Sequence, residues 1–265
     1  MNDALAAAIL GLVQGLTEFL PVSSTAHLIL AADVLKLDPA RFGLSFDVAL
    51  HLGTALAVLL YFARTWWSLI VDVFRGRWRL PLLIVVGSVP AAIAGVLLES
   101  LVERTLRGAV IIAIGLIAGS LIFVLAERLA SQRRRWEHLA FVDALFMGVA
   151  QAVALLPGIS RSGITISAGL VRGLERADAT RFSFLLATPV ILGAGLKTLL
   201  DARKLAELTA DPTAVAIGFV VSFISGLAAV AFMVRFLRRH SLGWFVAYRL
   251  LLAAAILVAV GAGFL

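Results

Sequence analysis

The chain reads as an all-α polytopic membrane protein with an inverted-topology repeat, each repeat a re-entrant helical hairpin followed by three transmembrane helices. Three observations predict it. First, 62% of the 265 residues are hydrophobic and 15% charged, with mean hydropathy +1.04, far from a soluble domain. Second, the apolar residues come in runs long enough to cross a hydrocarbon layer of about 30 Å, which takes about 20 helical residues; barrel strands would leave short alternating segments. Third, two runs stop at a proline followed by small hydroxyl residues, "PVSSTAH" from Pro21 and "PGISRSG" from Pro157. The length accommodates about six to eight such runs and little else, so one integral membrane domain over 1–265 is expected, with any site inside the bundle.

Taken in order, residues 4–20 are apolar up to Pro21, and a shorter run resumes after the break. Uninterrupted runs follow at about 44–63, 80–98 and 109–126. The pattern then restarts: 142–156 stops at Pro157, and runs at about 182–200, 214–234 and 244–265 follow. Paired interrupted segments are the mark of broken helices, whose irregular backbone is tolerated only where it lines a protein-buried cavity. A shift of 136 lays Pro21 on Pro157 and Ser24 on Ser160, and a shift of 140 lays Arg41-Phe42 on Arg181-Phe182 and Leu52-Gly53 on Leu192-Gly193. Repeat 1 is therefore about 1–130 and repeat 2 about 138–265.

Loop charge predicts the orientation. One side receives Arg64, Arg75, Arg77, Arg79, Arg128, Arg133, Arg134, Arg135, Arg172, Arg176, Arg181, Arg235, Arg238 and Arg239. The other receives only Lys36, Arg41, Arg104, Arg107, Lys197, Arg203 and Lys204. The positive-inside rule makes the first set cytoplasmic and sends both termini outward. The first hairpin then dips in from outside, the second from the cytoplasm, and their tips meet. The net charge of +7 is spread over short loops and is not gathered on one surface, which argues against a nucleic-acid partner. Cysteine is absent, so disulfides and thiolate metal sites are excluded. The first residues lack a basic region and a cleavage site, and are expected to belong to the mature protein.

Polar residues concentrate at the breaks. Gln14 and Glu18 share a helix face, as do Ser24 and His27 after the proline. An ionisable group buried in a membrane calls for a function and a partner; the candidate partner for Glu18 is Arg161 in the opposite hairpin. Plainer readings exist: Ser23, Ser24 and Thr25, like Ser160 and Ser162, suit helix capping, and His27 alone could be a core histidine. Capping needs one hydroxyl, however, and each break supplies more. Arg161 is flanked by apolar or small residues and has no easy route to the interface. Asp47 and His51, four apart, read as support for the site. Two half-helix N-termini, a guanidinium, a carboxylate able to hold a divalent cation, and a serine beside a histidine are the parts of a phosphoryl-transfer site. A substrate reaching it should carry a lipid tail.

At these residues the chain resembles a known family. "VQGLTEFLPVSSTAHL" and "LLPGISRSGITIS" resemble the two motifs of the bacterial undecaprenyl-diphosphate phosphatases of the bacitracin-resistance type, and "FDVALHLGT" and "AYRLL" resemble lesser ones. The resemblance runs the length of the chain. It implies an inner-membrane enzyme removing the terminal phosphate of undecaprenyl diphosphate, so that the monophosphate carrier returns to wall synthesis, with a divalent-cation requirement, Mg2+ or Ca2+. By that resemblance Glu18 handles a metal or proton, Ser24 and His27 are the nucleophile and its partner in either order, and Arg161 with Ser160 and Ser162 clamps the diphosphate. Gln14 stands where some members have glutamate, so only an amide oxygen would join Glu18 on the metal. Ala26 stands where others have glycine, so no positive φ is expected there.

Two other functions use the same parts. A transporter moving a polyprenyl phosphate shares the broken-helix architecture but has no use for a nucleophile. A phosphatase for other lipid phosphates would differ only in its tail. Small-residue faces such as "GSVPAAIAG" and "GAGLK" would support packing of a second copy, a homodimer.

Overall fold

The apolar runs become helices in chain order, and the computed structural model describes residues 2–264, with residues 99, 100, 103 and 104 by backbone alone. The charge-based placement of Arg104 therefore lies outside the described residues. The first half consists of α1 (Asp3–Phe19), α2 (Ser24–Val34), α3 (Leu44–Tyr61), α4 (Ala63–Phe74), α5 (Arg79–Thr105) and α6 (Ala109–Leu129). The second consists of α7 (Phe141–Val153), α8 (Arg161–Val171), α9 (Arg176–Leu200), α10 (Ala202–Ala210), α11 (Pro212–Phe236) and α12 (Gly243–Gly261). Six of these, α3, α5, α6, α9, α11 and α12, are long and apolar enough to cross a bilayer. The chain is an all-α, multi-pass membrane protein.

Two helices depart from the sequence reading, which left their residues in loops. α4 and α10 are short and amphipathic: α4 buries Leu69 and exposes Trp67, Ile70 and Phe74, and α10 has no fully buried residue. Their apolar faces are too short to span and too one-sided to sit in the core, which suits the bilayer interface.

Close approach organises the bundle. α1 buries Ala7, Leu10, Gly11, Gln14, Gly15 and Glu18, a stripe at helical spacing. It lies on α11 through Gly11 and Gly15. A Cβ on Gly11 would fall 2.5 Å from the carbonyl oxygen of Gly218, and one on Gly15 2.6 Å from that of Ser222, so small residues set the helix separation. α7 meets α5 in the same manner, a Cβ on Gly148 reaching 2.2 Å from Gly87 O. Of the small-residue faces noted above, Gly87 and Gly195 are thus used within the chain, Gly195 against Leu52, whereas Gly95 and Gly193 have no neighbour within 4 Å of an added Cβ among the described residues.

The two hairpins begin at different ends. Asn2 and Asp3 border a cleft with Asp211, at the start of α11, and Leu28 of α2 packs with Ala6, Leu10, Phe42 and Ala214, so α1 and α2 start and finish near one end. At the end where α11 finishes, Leu242 N–H donates to Glu127 at 2.8 Å, and Glu127 takes Arg176. There Asp143, in the first turn of α7, accepts from Arg134 at 2.6 Å and from Arg172, just past α8, at 2.6 Å.

Candidate active site

Both breaks owe their shape to a serine in a left-handed conformation. Ser23 has φ 74 and Ser160 φ 76, each immediately before the second half-helix of its hairpin. Such φ values are uncommon outside glycine and gather at functional sites. Ala26, by contrast, is helical and fully buried, in line with the expectation. The helix starts also revise the repeat alignment: Ser23, not Ser24, is the counterpart of Ser160, because Gly158 adds a residue between Pro157 and the cap. Ser24 and Arg161 therefore occupy matching first positions of α2 and α8.

The tips touch. Gly158 N–H donates to Ser23 Oγ at 3.2 Å, and Ser162 Oγ donates to Leu20 O at 3.2 Å. Gly158, at φ 92, passes so close to α6 that a Cβ would lie 2.4 Å from Ile112 O, so only glycine fits. Ser160 Oγ caps α8 by accepting from Gly163 N–H at 3.3 Å, and lies 3.3 Å from Ser162 Oγ. Ser23, spent on Gly158, does not cap α2. The first amides of α2 are left for an anion, aided by the helix dipole.

Glu18 is the centre. One carboxylate oxygen is bound by Arg161, across the two hairpins. The other accepts from Ser24 Oγ at 2.7 Å and from Gln14 Nε2 at 2.9 Å, and stands 3.3 Å from His51 Nε2. His51 Nδ1 faces Asp47 O at 2.7 Å. An Nδ1–H donating to that carbonyl leaves Nε2 turned toward Glu18. His51 thus touches the central group directly and is more than support. Asp47 turns its carboxylate away to Arg107, at 3.1 Å, and supports His51 through its carbonyl. Thr25, half-buried in the first turn of α2, makes no side-chain hydrogen bond among the described residues.

Ser24 and His27, read as a pair, are not hydrogen-bonded to each other. Ser24 donates to Glu18, while His27 has Nδ1 2.8 Å from Ser23 O and Nε2 2.6 Å from the Tyr248 hydroxyl, the two rings stacked 5.7 Å apart. Nδ1–H donating to the carbonyl leaves Nε2 to accept from Tyr248.

Two further residues complete the site, and the sequence reading passed over both although "AYRLL" contains them. Tyr248 holds His27. Arg249, 0% exposed, has no carboxylate partner among the described residues; its guanidinium donates to Ser120 Oγ at 3.1 Å, Leu116 O at 3.0 Å and Gly158 O at 2.7 Å, reaches Pro21 O at 3.4 Å, and lies over the Phe123 ring. It fastens both breaks to α6, where Gly119 makes room for it. An arginine inside an apolar run was itself the available signal.

A divalent cation would find one carboxylate, Glu18, and one amide oxygen, Gln14 Oε1, which is buried and without a hydrogen-bond partner. No group of three His, Cys, Asp or Glu able to hold a metal occurs among the described residues. An ion held there would need substrate phosphate and water to complete its shell, in the manner of magnesium sites.

Fold and site together define a polytopic membrane protein with a buried cluster of charged and polar side chains where two broken hairpins meet. The model of the family "Bacitracin resistance protein BacA" matches residues 7–255, and the chain belongs to that family. It is similar to the undecaprenyl-diphosphatase of Rubrobacter xylanophilus, 44% identical over 97% of this chain and 98% of that one. Similar proteins of the same name occur in Desulforudis audaxviator, 43% identical over 94% of this chain and 95% of that one, and in Thermodesulfovibrio yellowstonii, 40% identical over 97% of each.

Proposed function

We propose that the chain hydrolyses undecaprenyl diphosphate to undecaprenyl phosphate and inorganic phosphate in the bacterial inner membrane, recycling the carrier for wall synthesis and conferring bacitracin resistance. The observation that carries the chemistry is the 2.7 Å hydrogen bond from Ser24 Oγ to a Glu18 carboxylate whose other oxygen is bound by Arg161, at the uncapped start of α2. Glu18 takes the Ser24 proton as Oγ attacks the terminal phosphorus. The bridging P–O bond breaks, undecaprenyl phosphate departs, and water then releases phosphate from the serine. Arg161 leaves Glu18 for the phosphate oxygens, where its planar fork binds two at once, and the α2 amides stabilise the charge developing there. His27, held by Tyr248, is the proton donor and acceptor one turn along. A Mg2+ or Ca2+ ion held by Glu18 and Gln14 would neutralise phosphate charge.

The architecture belongs to the same proposal. The two halves are inverted repeats, about 1–130 and 138–265, supported by the matching helix order and by the hairpins starting at opposite ends of α11. Loop charge then puts both termini and the mouth of the site on the periplasmic side. That α2 is less enclosed than α8, whose residues 162–170 are all buried, supports a mouth beside α2. A second copy would pack at the open faces near Gly95 and Gly193, and cross-linking there tests the homodimer.

The deciding experiment is phosphate release from a C55 polyprenyl diphosphate by the purified protein, with and without EDTA, beside Ser24→Ala. Turnover that needs both metal and Ser24 is expected. Folded protein without turnover under several divalent ions would put lipid-phosphate transport in its place.

A further inference from the structure

At the end of the bundle where α11 finishes, a second basic site lies apart from the one described. A cavity of about 440 Å³ is lined by Arg135 from the segment joining α6 to α7, by Arg176 and Arg181 from α9, and by Arg238 from just past α11, with Leu237 as apolar floor. Gln132, Glu175, Ala177 and Asp178 complete the lining. Arg176 is committed to Glu127, bound through two nitrogens at 3.0 and 2.6 Å. The other three guanidiniums are not so engaged. Arg181 is 3.6 Å from Asp178 and Arg135 3.9 Å from Glu137, both beyond a hydrogen bond, and Arg238 has no ion-pair partner among the described residues. Asp178 meanwhile accepts from Trp136 N–H at 3.1 Å, so its charge is already shared. The lining itself sets four arginines against two carboxylates, Glu175 and Asp178; Glu127 and Glu137, outside the lining, bring the count level, but of these only Glu127 holds its arginine by hydrogen bonds.

Positive-inside topology requires arginines on one side, and Arg64 and Arg75 on and after α4, outside this cavity, are enough to serve it. Arg135, Arg181 and Arg238 come from three separate segments and meet around one cavity. Planar donors with free N–H groups, set around a space of this size, match the oxygens of a phosphate. Exposed Leu129 and Phe232, a few residues before the lining on α6 and α11, offer apolar surface for acyl chains. We propose that this cavity binds a phosphate-bearing anion, from an anionic phospholipid headgroup or from soluble phosphate, independently of the catalytic site.

The test uses the full chain in nanodiscs containing phosphatidylcholine with or without phosphatidylglycerol, followed by native mass spectrometry of retained lipid. Arg135→Gln with Arg238→Gln is compared with Arg64→Gln with Arg75→Gln, which removes equal charge from the same end of the bundle. Retained phosphatidylglycerol should fall about tenfold in the first double variant, as loss of charge-assisted bonds requires, and stay near wild type in the second. Arg238→Gln alone, at an exposed unpaired residue, should show a smaller loss in the same direction with unchanged melting. In neutral detergent, inorganic phosphate at millimolar concentration is added and melting followed. Protection of wild type but not of the Arg135/Arg238 variant assigns a soluble phosphate to the same cavity; lipid retention without such protection assigns the headgroup. Equal losses in the two double variants, or neither retention nor protection, would overturn the proposal.

Discussion

Glu18 illustrates how one carboxylate is made tolerable in an apolar bundle. A buried charge is costly unless it is paired and its lone pairs are satisfied; Arg161, His51, Ser24 and Gln14 together do both. Ser24→Ala and Glu18→Gln should each lower kcat by about a hundredfold or more, the range for removing a nucleophile or its base, measured as phosphate release. Arg161→Lys should fail as well, since an ammonium cannot span two phosphate oxygens. Arg249 makes a different prediction. Its donors join Pro21 O, Gly158 O and Ser120 into one unit, and Arg249→Lys would leave buried carbonyls unpaired at about 1–3 kcal/mol each. Lower melting is expected, with kcat reduced more than KM changed. An unchanged melting curve and normal turnover would remove its positioning role.

Helices hold these residues by approach distance. The Gly11 and Gly15 face of α1 sets how near Gln14 and Glu18 come to the rest of the site. Gly15→Leu puts side-chain atoms into the α11 backbone at Ser222 O and Gly226 N, which cannot yield, and onto the Ser225 hydroxyl. It should reduce folded yield sharply, visible in detergent size-exclusion profiles, whereas Gly95→Leu, with open space, should not. Gly158→Ala combines a disallowed φ with a clash on Ile112 O and should cost more than about 1 kcal/mol.

The whole molecule is tied at its linker. Burial alone would raise the Asp143 carboxyl, but hydrogen bonds from Arg134, Ala140 N–H and Arg172 outweigh it and bring its pKa to about 2. Because the folded value lies below the unfolded one of about 3.9, the stabilisation is complete above that pH and is lost as pH falls toward 2. Melting temperature should therefore drop between about pH 4 and pH 2, and Asp143→Asn should start lower and flatten that dependence. A chain without cysteine also permits a direct topology experiment. Single cysteines at Asn2 and at Arg239 should label from opposite faces of sealed vesicles; labelling from one face would contradict the inverted arrangement.

The sequence by itself determined the all-α membrane class, because runs of apolar residues can satisfy their backbone in lipid only as helices. It also determined the six spans, the two breaks, and the pairing of Glu18 with Arg161, since these intramembrane charges have no cheap alternative. α4 and α10 were not legible as spans, because amphipathic stretches of 12 and 9 residues are too short to cross a bilayer and sit among charged loop residues. Nor was the one-residue offset at Gly158, which depends on the path of the break over α6. That Ser24 binds Glu18 and His27 binds Tyr248, and that Arg249 reaches both breaks, only the tertiary structure decided. Tyr248 and Arg249 come from a helix far along the chain, and Ser24 meets Glu18 only through the path of the break at Pro21, so a small change in approach separates a hydrogen bond from none.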